Sequence, residues 1–550
     1  MHKKFVVFAL ISILLIGVAA IPPNDRYFEI LKNLDIFATL FKEVNTHYVD
    51  EVNPNTLIKQ GIDEMLESLD PYTNYIAADD IETYRMLTTG EYSGIGAVIE
   101  KKNGINTVVI PYEGFAAHEA GLKAGDEIHK IGGVVLEGKS SEEINYLLKG
   151  QSKSDITLTI KRYGKEEMFD VVLKREKIAV ESVPYSGMVT DDIGYVRLTN
   201  FTQNVGRQVG VKTLDLIEEG AKGIILDLRG NPGGLLHEAV NVSNVFIEKG
   251  KKIVVQKGKV RANDWTYHTL NDPVDVNIPL AILTDNGSAS ASEIVSGVVQ
   301  DYDRGILIGR KTFGKGLVQV ERPLSYDAVV KITTAKYYTP TGRCIQAIDY
   351  SNRNPDGSVG KIPDSLKTEF QTANGRIVYD GGGIDPDIKV ETFDFAPITY
   401  SLIKNDHIFY YATEYYYKNP ARETEDPRKL RLSDAEYNQF VKWLDGKDFD
   451  YTTQVEKGIK KLIETAQEEK KYELLKSQLE ALNKAGKHNK DKDLVTFKKE
   501  IQMLLEQEIA SRYFLQSGLV ESTFDKDPDV LEAVSVLKYE ERYAKLLNRK

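Results

Sequence analysis

The stretch Leu280-Ala281-Ile282-Leu283-Thr284-Asp285-Asn286-Gly287-Ser288-Ala289-Ser290-Ala291-Ser292-Glu293-Ile294 decides how this chain is read. Its first five residues are apolar or β-branched and predict a buried strand. A glycine turn follows, and small residues then open a helix. A hydroxyl at such a helix start faces unpaired backbone N–H groups and the positive end of the helix dipole, which together favour a developing oxyanion. Ser288, Ser290 and Ser292 compete for that place, and spacing alone does not choose among them. The ordinary role of any one of them is an N-cap.

Working outward, apolar strands and helices alternate from about Ile178 to Val390: Gly223–Leu228, Leu235–Ile247, Leu280–Thr284, Ser290–Tyr302 and Ile306–Gly309. That alternation predicts an α/β core. Downstream of the serines stands Thr312-Phe313-Gly314-Lys315-Gly316-Leu317-Val318-Gln319. A lysine between glycines in an apolar stretch is a candidate for burial and a depressed pKa, and a neutral amine can act as general base to a serine. No Ser–His pairing of similar quality occurs among the eight histidines, and His237 reads as structural. Two other motifs fail. Gly309 to Lys315 fits a P-loop, but Gly316 stands where Ser or Thr must hold magnesium. His237-Glu238-Ala239-Val240-Asn241 lacks the second histidine of a zinc pair.

Upstream, residues 25–88 show helical periodicity, with a stop at Asp70-Pro71. From Glu91 to Glu176 the pattern changes to short β-rich runs between glycine turns, with one helix near Ser141–Leu148. Tyr92-Ser93-Gly94-Ile95-Gly96-Ala97 places two glycines before a strand, where successive N–H groups can turn toward a carboxylate. The strand that follows could pair with an extended peptide. With Ala120-Gly121-Leu122-Lys123-Ala124-Gly125-Asp126-Glu127-Ile128 and Ile131-Gly132-Gly133, this segment resembles a PDZ domain, whose family recognises peptide C-termini. The resemblance marks Gly94, Ile95, Gly96 and Ala97 as its peptide-binding loop. The last 150 or so residues are charged and helical, with a capping box at Ser433–Glu436 and an Asp527-Pro528 helix start. An apolar stripe of Val455, Ile459, Leu462, Ala466, Leu475, Leu479 and Leu482 reads as packing within the chain.

The 550 residues carry 71 Lys+Arg against 82 Asp+Glu, a net charge of -11 that gives nucleic acid no basic face. One cysteine, Cys344, excludes an internal disulfide framework and Cys-cluster metal sites. Lys3-Lys4, the apolar run Phe5–Ile16 and the small residues up to Ala20 predict a signal peptide over residues 1–20, or an uncleaved anchor. Export argues against enzymes dependent on cytosolic ATP, NAD or coenzyme A.

Leu69-Asp70-Pro71-Tyr72-Thr73, the PDZ segment, Asp227-Leu228-Arg229-Gly230-Asn231-Pro232-Gly233-Gly234, the serine run, the Thr-Phe-Gly-Lys-Gly run and Gly382-Gly383-Ile384-Asp385-Pro386-Asp387 occur in that order. Over roughly residues 30–390 the chain resembles the C-terminal processing peptidases (tail-specific proteases) of the S41 serine peptidase family. The family's nucleophile is the middle serine, 25 residues before its lysine, which implies Ser290 as nucleophile and Lys315 as general base. An orienting glutamine four residues past the lysine corresponds to Gln319. The oxyanion hole is implied at the N–H of Ala291 and at one from the glycine loop, Gly234 with Gly233 as fallback.

The resemblance also implies an α/β and β multidomain fold. Residues 89–177 would be a PDZ domain inserted before a crotonase-like α/β peptidase core at 178–398. An N-terminal helical region at 25–88 and a C-terminal helical extension at 399–550 complete it. No metal or organic cofactor is required. The expected partners are proteins or peptides with accessible C-termini, with room for a homo-oligomer, no nucleic acid, and membrane contact only through an uncleaved N-terminus. The expected location is outside the cytoplasmic membrane, periplasmic or anchored and facing outward. A non-catalytic PDZ scaffold is the alternative, but it has no use for Ser290, Lys315 and Gln319 together.

Overall fold

In the computed structural model, residues 25–81, 84, 90–179, 181–354, 358–391, 394–424 and 426–549 are described. The segment expected to be a signal peptide lies outside them. No helix among the described residues is long and apolar enough to cross a membrane. Helices α1 (Asp25–His47) and α2 (Pro54–Glu67) belong to a compact unit of their own. Asn53 caps α2, accepting from the Asn55 N–H at 2.9 Å, and Pro54 takes the first helical position, where its missing N–H costs nothing.

The chain enters and leaves the next module through a two-stranded antiparallel ribbon, β1 (Glu91–Gly94) against β7 (Glu176–Ala179). Between them lie β2 (Ala97–Lys102), β3 (Ile105–Pro111), β4 (Glu127–Ile131), α3 (Ser141–Leu148), β5 (Asp155–Lys161) and β6 (Phe169–Lys174). The sheet runs β2-β3-β4-β5-β6, antiparallel throughout. Alternate residues such as Ile156, Leu158 and Ile160 point into a core shared with Ile128 and Ile144. This is the expected PDZ module, and β2 is an edge strand that pairs only with β3 among the described residues.

The main sheet is built from β8 (Tyr185–Thr190), β9 (Ile193–Arg197), β10 (Gly223–Asp227), β13 (Leu280–Thr284), β14 (Ile306–Gly309) and β17 (Ile388–Lys389), in that spatial order and parallel from β9 onward. Parallel strands are apolar on both faces because both faces are covered. Ile224 and Leu226 point to one side, where α4 (Val205–Glu218), α5 (Leu236–Phe246) and α6 (Ala291–Asp301) pack. Ile225 points to the other, with Leu283 and Ile308. A smaller sheet holds β11 (Lys252–Gly258), β12 (Trp265–His268), β15 (Leu317–Pro323) and β16 (Val329–Tyr338).

Helices α7 (Pro397–Lys404), α8 (His407–Lys418), α9 (Asp434–Trp443) and α12 (Lys498–Glu521) enclose a separate apolar core around Tyr411, Phe440 and Ile501. The capping box at Ser433 and Glu436 forms as expected. Helices α10 (Gln454–Glu468) and α11 (Tyr472–Ala485) bury only Ile459, Ala466 and Leu479 of the apolar stripe; Val455, Leu462, Leu475 and Leu482 stay exposed. The end of the chain differs from a simple extension. Val530, Ala533, Val536 and Leu537 of α13 (Pro528–Lys538), with Tyr543 of α14 (Glu540–Leu546), cover the second face of the main sheet. Residues expected beyond the peptidase core therefore form one of its layers.

Candidate active site

Strand β13, paired on both sides, delivers the serine run to the C-terminal ends of the parallel strands. Asp285 Oδ1 accepts the N–H groups of Gly287 at 2.9 Å and Ser288 at 3.1 Å, and also that of Gly230 at 2.8 Å on the loop after β10. The two loops are thus joined by one carboxylate. Ser288 is buried and its hydroxyl donates to the Leu228 carbonyl at 2.8 Å. Ser292 is buried and donates to the Asn231 carbonyl at 2.9 Å. Ser290 differs from both. It is half-buried and takes φ 55°, ψ -111°, outside the regions an L-residue ordinarily occupies. Such a residue costs about 1–3 kcal/mol and persists only where its surroundings over-determine it.

Those surroundings are specific. Fully buried Glu293 accepts the Ser290 N–H at 2.8 Å and the Lys315 N–H at 2.9 Å on one oxygen. Its other oxygen accepts the Thr312 hydroxyl at 2.6 Å and the Gly314 N–H at 2.7 Å. Burial raises the Glu293 carboxyl above its ordinary pKa, and the four donors offset only part of that rise. From the other side, the hydroxyl of buried Tyr337 lies 2.5 Å from the Lys315 carbonyl and 3.1 Å from that of Ser290. One carboxylate and one phenol therefore hold both peptide groups of the two residues.

The glycines around Lys315 serve close approach. A Cβ on Gly314 would fall 2.4 Å from that of Ala347, and one on Gly316 would fall 2.8 Å from the Gln346 nitrogen. Lys315 is half-buried, and so is Gln319, whose amide donates to the Thr333 hydroxyl at 3.1 Å. Opposite, Gly233 packs directly on the serine; a Cβ there would fall 2.8 Å from Ser290 Cβ. The Gly233 N–H donates to Asn231 Oδ1 at 2.9 Å. The N–H groups of Ala291 and Gly234 have no protein acceptor among the described residues. The loop begins at Asp227, which is buried among Tyr195, Arg197 and Arg229. Burial opposes its charge, but the Arg229 and Arg197 guanidinium groups hold its carboxyl well below the usual carboxylate range.

Residues 192–359 match the family model "Peptidase family S41", and residues 398–537 match one described as "Probable PDZ-protease, C-terminal helical domain". The carboxy-terminal-processing protease of Bartonella bacilliformis is 39% identical over 322 residues, spanning 58% of this chain and 73% of that protein. The chain belongs to peptidase family S41. A protein of Staphylococcus aureus strain N315 named "Probable CtpA-like serine protease" is 36% identical over 413 residues, 74% of this S41 peptidase and 79% of the relative. The solved photosystem II D1 C-terminal processing protease is 25% identical, with a TM-score of 0.35 over 64% of this chain and 92% of that one.

In the PDZ module of this S41 peptidase, Gly94, Ile95, Gly96 and Ala97 lead from β1 into the edge strand β2. The carbonyls of Ile95 and Gly96 accept from Ala117 and Tyr112, each at 2.8 Å. Their N–H groups have no protein acceptor among the described residues. Gly96 has φ +76°, and a Cβ there would fall 2.4 Å from Phe115 Cβ. Three residues that hold the serine and lysine loops escaped the sequence reading: Asp285, Glu293 and Tyr337. Ser290-Ala291-Ser292-Glu293 carries the Ser-x-x-Glu spacing that signals a helix start, so Glu293 was visible as a cap. Its reach to the lysine loop was not, and nothing local marks Tyr337.

Proposed function

We propose that this carboxy-terminal-processing serine peptidase cleaves exported proteins near their C-terminal tails by a Ser290/Lys315 dyad. Ser290 Oγ adds to the carbonyl carbon of the scissile bond as its proton passes to neutral Lys315 Nζ, with Gln319 orienting the amine. The oxyanion is received by the N–H groups of Ala291 and Gly234, each such donor being worth about 3 kcal/mol. Gly234 is preferred to Gly233 because the Gly233 N–H is committed to Asn231. The protonated lysine then gives its proton to the departing amine, the C–N bond breaks, and water hydrolyses the acyl ester. The Gly94–Ala97 loop would receive the substrate's terminal carboxylate while β2 pairs with its tail.

The observation that carries this reading is the contrast among the serines. Ser288 and Ser292 are buried with their hydroxyls on carbonyls, whereas strained, half-buried Ser290 shares Glu293 and Tyr337 with Lys315. The test is incubation of wild type and Ser290→Ala with an unfolded protein, followed by mass spectrometry of the cleavage points. Wild type should release fragments from the C-terminal side and Ser290→Ala none. Fragments from Ser290→Ala, together with an inactive Ser292→Ala, would move the nucleophile.

A further inference from the structure

Helix α13 does more than cover the second face of the sheet. Its first turn reaches the ends of β10 and β14, where the two catalytic loops begin. Asp529, with a side chain 2% exposed, accepts from Arg229 Nη1 at 2.8 Å and from Arg310 Nη1 at 3.1 Å. Arg229 starts the loop that ends at Gly233 and Gly234. Arg310 starts the loop that ends at Lys315, and its backbone exchanges two bonds of 2.9 Å with Thr284, the last residue of the strand leading to Ser290. Asp527 adds a second carboxylate, accepting from Arg229 Nη1 at 3.0 Å while capping α13. The far side of Arg229 is held by Asp227.

We propose that Asp529 is a positioning residue that sets the spacing between the oxyanion loop and the lysine loop, although it stands more than 200 residues beyond both. One carboxylate bonds an arginine at the root of each loop, and its loss unties Arg310 from Arg229, which keeps only Asp227 and Asp527. Displacement by about 1 Å at a reacting group can cost roughly a hundredfold in rate. The effect therefore falls on the chemical step and not on substrate capture. The inference rests on the Ser290/Lys315 reading above.

The experiment compares Asp529→Asn, Asp529→Glu, Asp527→Asn and Val530→Ala with wild type, using an unfolded protein substrate and a serine-reactive phosphonate. Asp529→Asn should lower kcat by about 10- to 100-fold with KM within about twofold, and slow phosphonate labelling of Ser290 by the same factor. Asp529→Glu should recover part of the loss. Val530→Ala loosens the same helix in the apolar core; it should lower Tm while kcat stays within about twofold. If Asp529→Asn does not fold, Asp527→Asn is decisive, because asparagine keeps the cap. That variant should lower kcat by about three- to tenfold through Arg229 alone. The proposal is overturned if Asp529→Asn, or in its absence Asp527→Asn, keeps wild-type kcat and labelling. It is equally overturned if Val530→Ala loses kcat in proportion to its Tm. An active Ser290→Ala would sink the dyad, whereas an inactive Ser290→Ala beside a fully active Asp529→Asn sinks only the positioning role.

Discussion

The loops that carry Ser290 and Lys315 and the loop that begins β2 are both rich in glycine, and they use it for opposite purposes. At the serine and lysine loops, missing side chains let the chain approach itself closely: Gly233 lies on Ser290, and Gly314 and Gly316 lie on residues 347 and 346. Glu293 and Tyr337 take five backbone groups there between them. At the PDZ loop, the positive φ of Gly96 turns the chain so that the N–H groups of Ile95 and Gly96 find no protein acceptor among the described residues. Under the proposed function, the chemistry is organised before substrate arrives, and recognition is left for the substrate to complete. Changes in the first region should appear in kcat, and changes in the second in capture.

The largest expected effect tests the organised region at its reactive atom. Lys315→Arg keeps a cation of similar reach but cannot deprotonate at working pH. Loss of a general base should cost about 100- to 10,000-fold in kcat. Wild-type activity should rise with pH as the neutral fraction of the lysine grows. An arginine variant within tenfold of wild type in kcat/KM would remove Lys315 from the mechanism.

Next comes the strut between the two residues. Glu293→Gln keeps the shape but presents an NH2 group to donors that now need acceptors. Roughly half the bonds are lost, costing about 2–3 kcal/mol of stability by the usual penalty for buried unsatisfied groups. Activity should fall further, about a hundredfold, because the strain at Ser290 is no longer held. The pH dependence has a definite sign. Burial raises the carboxyl of Glu293, so the fold binds more protons here than the unfolded chain does. This group's contribution to stability therefore falls as pH rises from the unfolded carboxylate range to the raised folded value. Denaturant titrations across that window should show a shallower decline for Glu293→Gln than for wild type. Equal kcat in the two proteins would make Glu293 a cap and nothing more.

How legible all this was in the sequence depends on the range of the interaction. The strands and the helix caps at Ser433 and Asp527 follow from local period and spacing, the PDZ segment from its resemblance to a family, and the structure has them. Ser290 could not be separated from Ser288 and Ser292 by spacing, because the difference lies in its strained backbone and in the burial of the other two hydroxyls on carbonyls. Glu293 was legible only as a helix-start residue. The return of α13 to the main sheet was invisible, since its apolar face looks the same whether it meets a helix or a sheet.

The open region should respond more weakly. Valine at Gly96 would have to adopt φ +76° and drive its Cβ into Phe115, so the loop must shift. Gly96→Val should raise KM for long tails by about tenfold and leave phosphonate labelling of Ser290 unchanged, since a remote binding contact acts on capture. Amidating the substrate's C-terminus should produce a similar loss on wild-type enzyme. If free-acid and amidated substrates are cleaved equally fast, the loop does not receive a carboxylate.

The smallest effect concerns the back of the PDZ module, which rests on α8. Lys102 pairs with Asp406 at 3.2 Å, Lys123 Nζ donates to the Tyr416 hydroxyl at 2.8 Å and lies 5.0 Å from its ring centre, and Tyr163 stacks on Tyr417 at 5.7 Å. These contacts are polar and partly wet, each worth about 0.5–1 kcal/mol. Losing one should shift the seat of the module by a few-fold in equilibrium and leave it folded. Lys123→Ala should therefore change KM for a tail substrate by about two- to threefold, with kcat and Ser290 labelling at wild-type values. Faster amide exchange in α8 would report the loosened seat. A fall in kcat as deep as that of Glu293→Gln would contradict the separation of the two regions. It would mean that the seat on α8 reaches the catalytic loops, and that recognition and chemistry share one organised body.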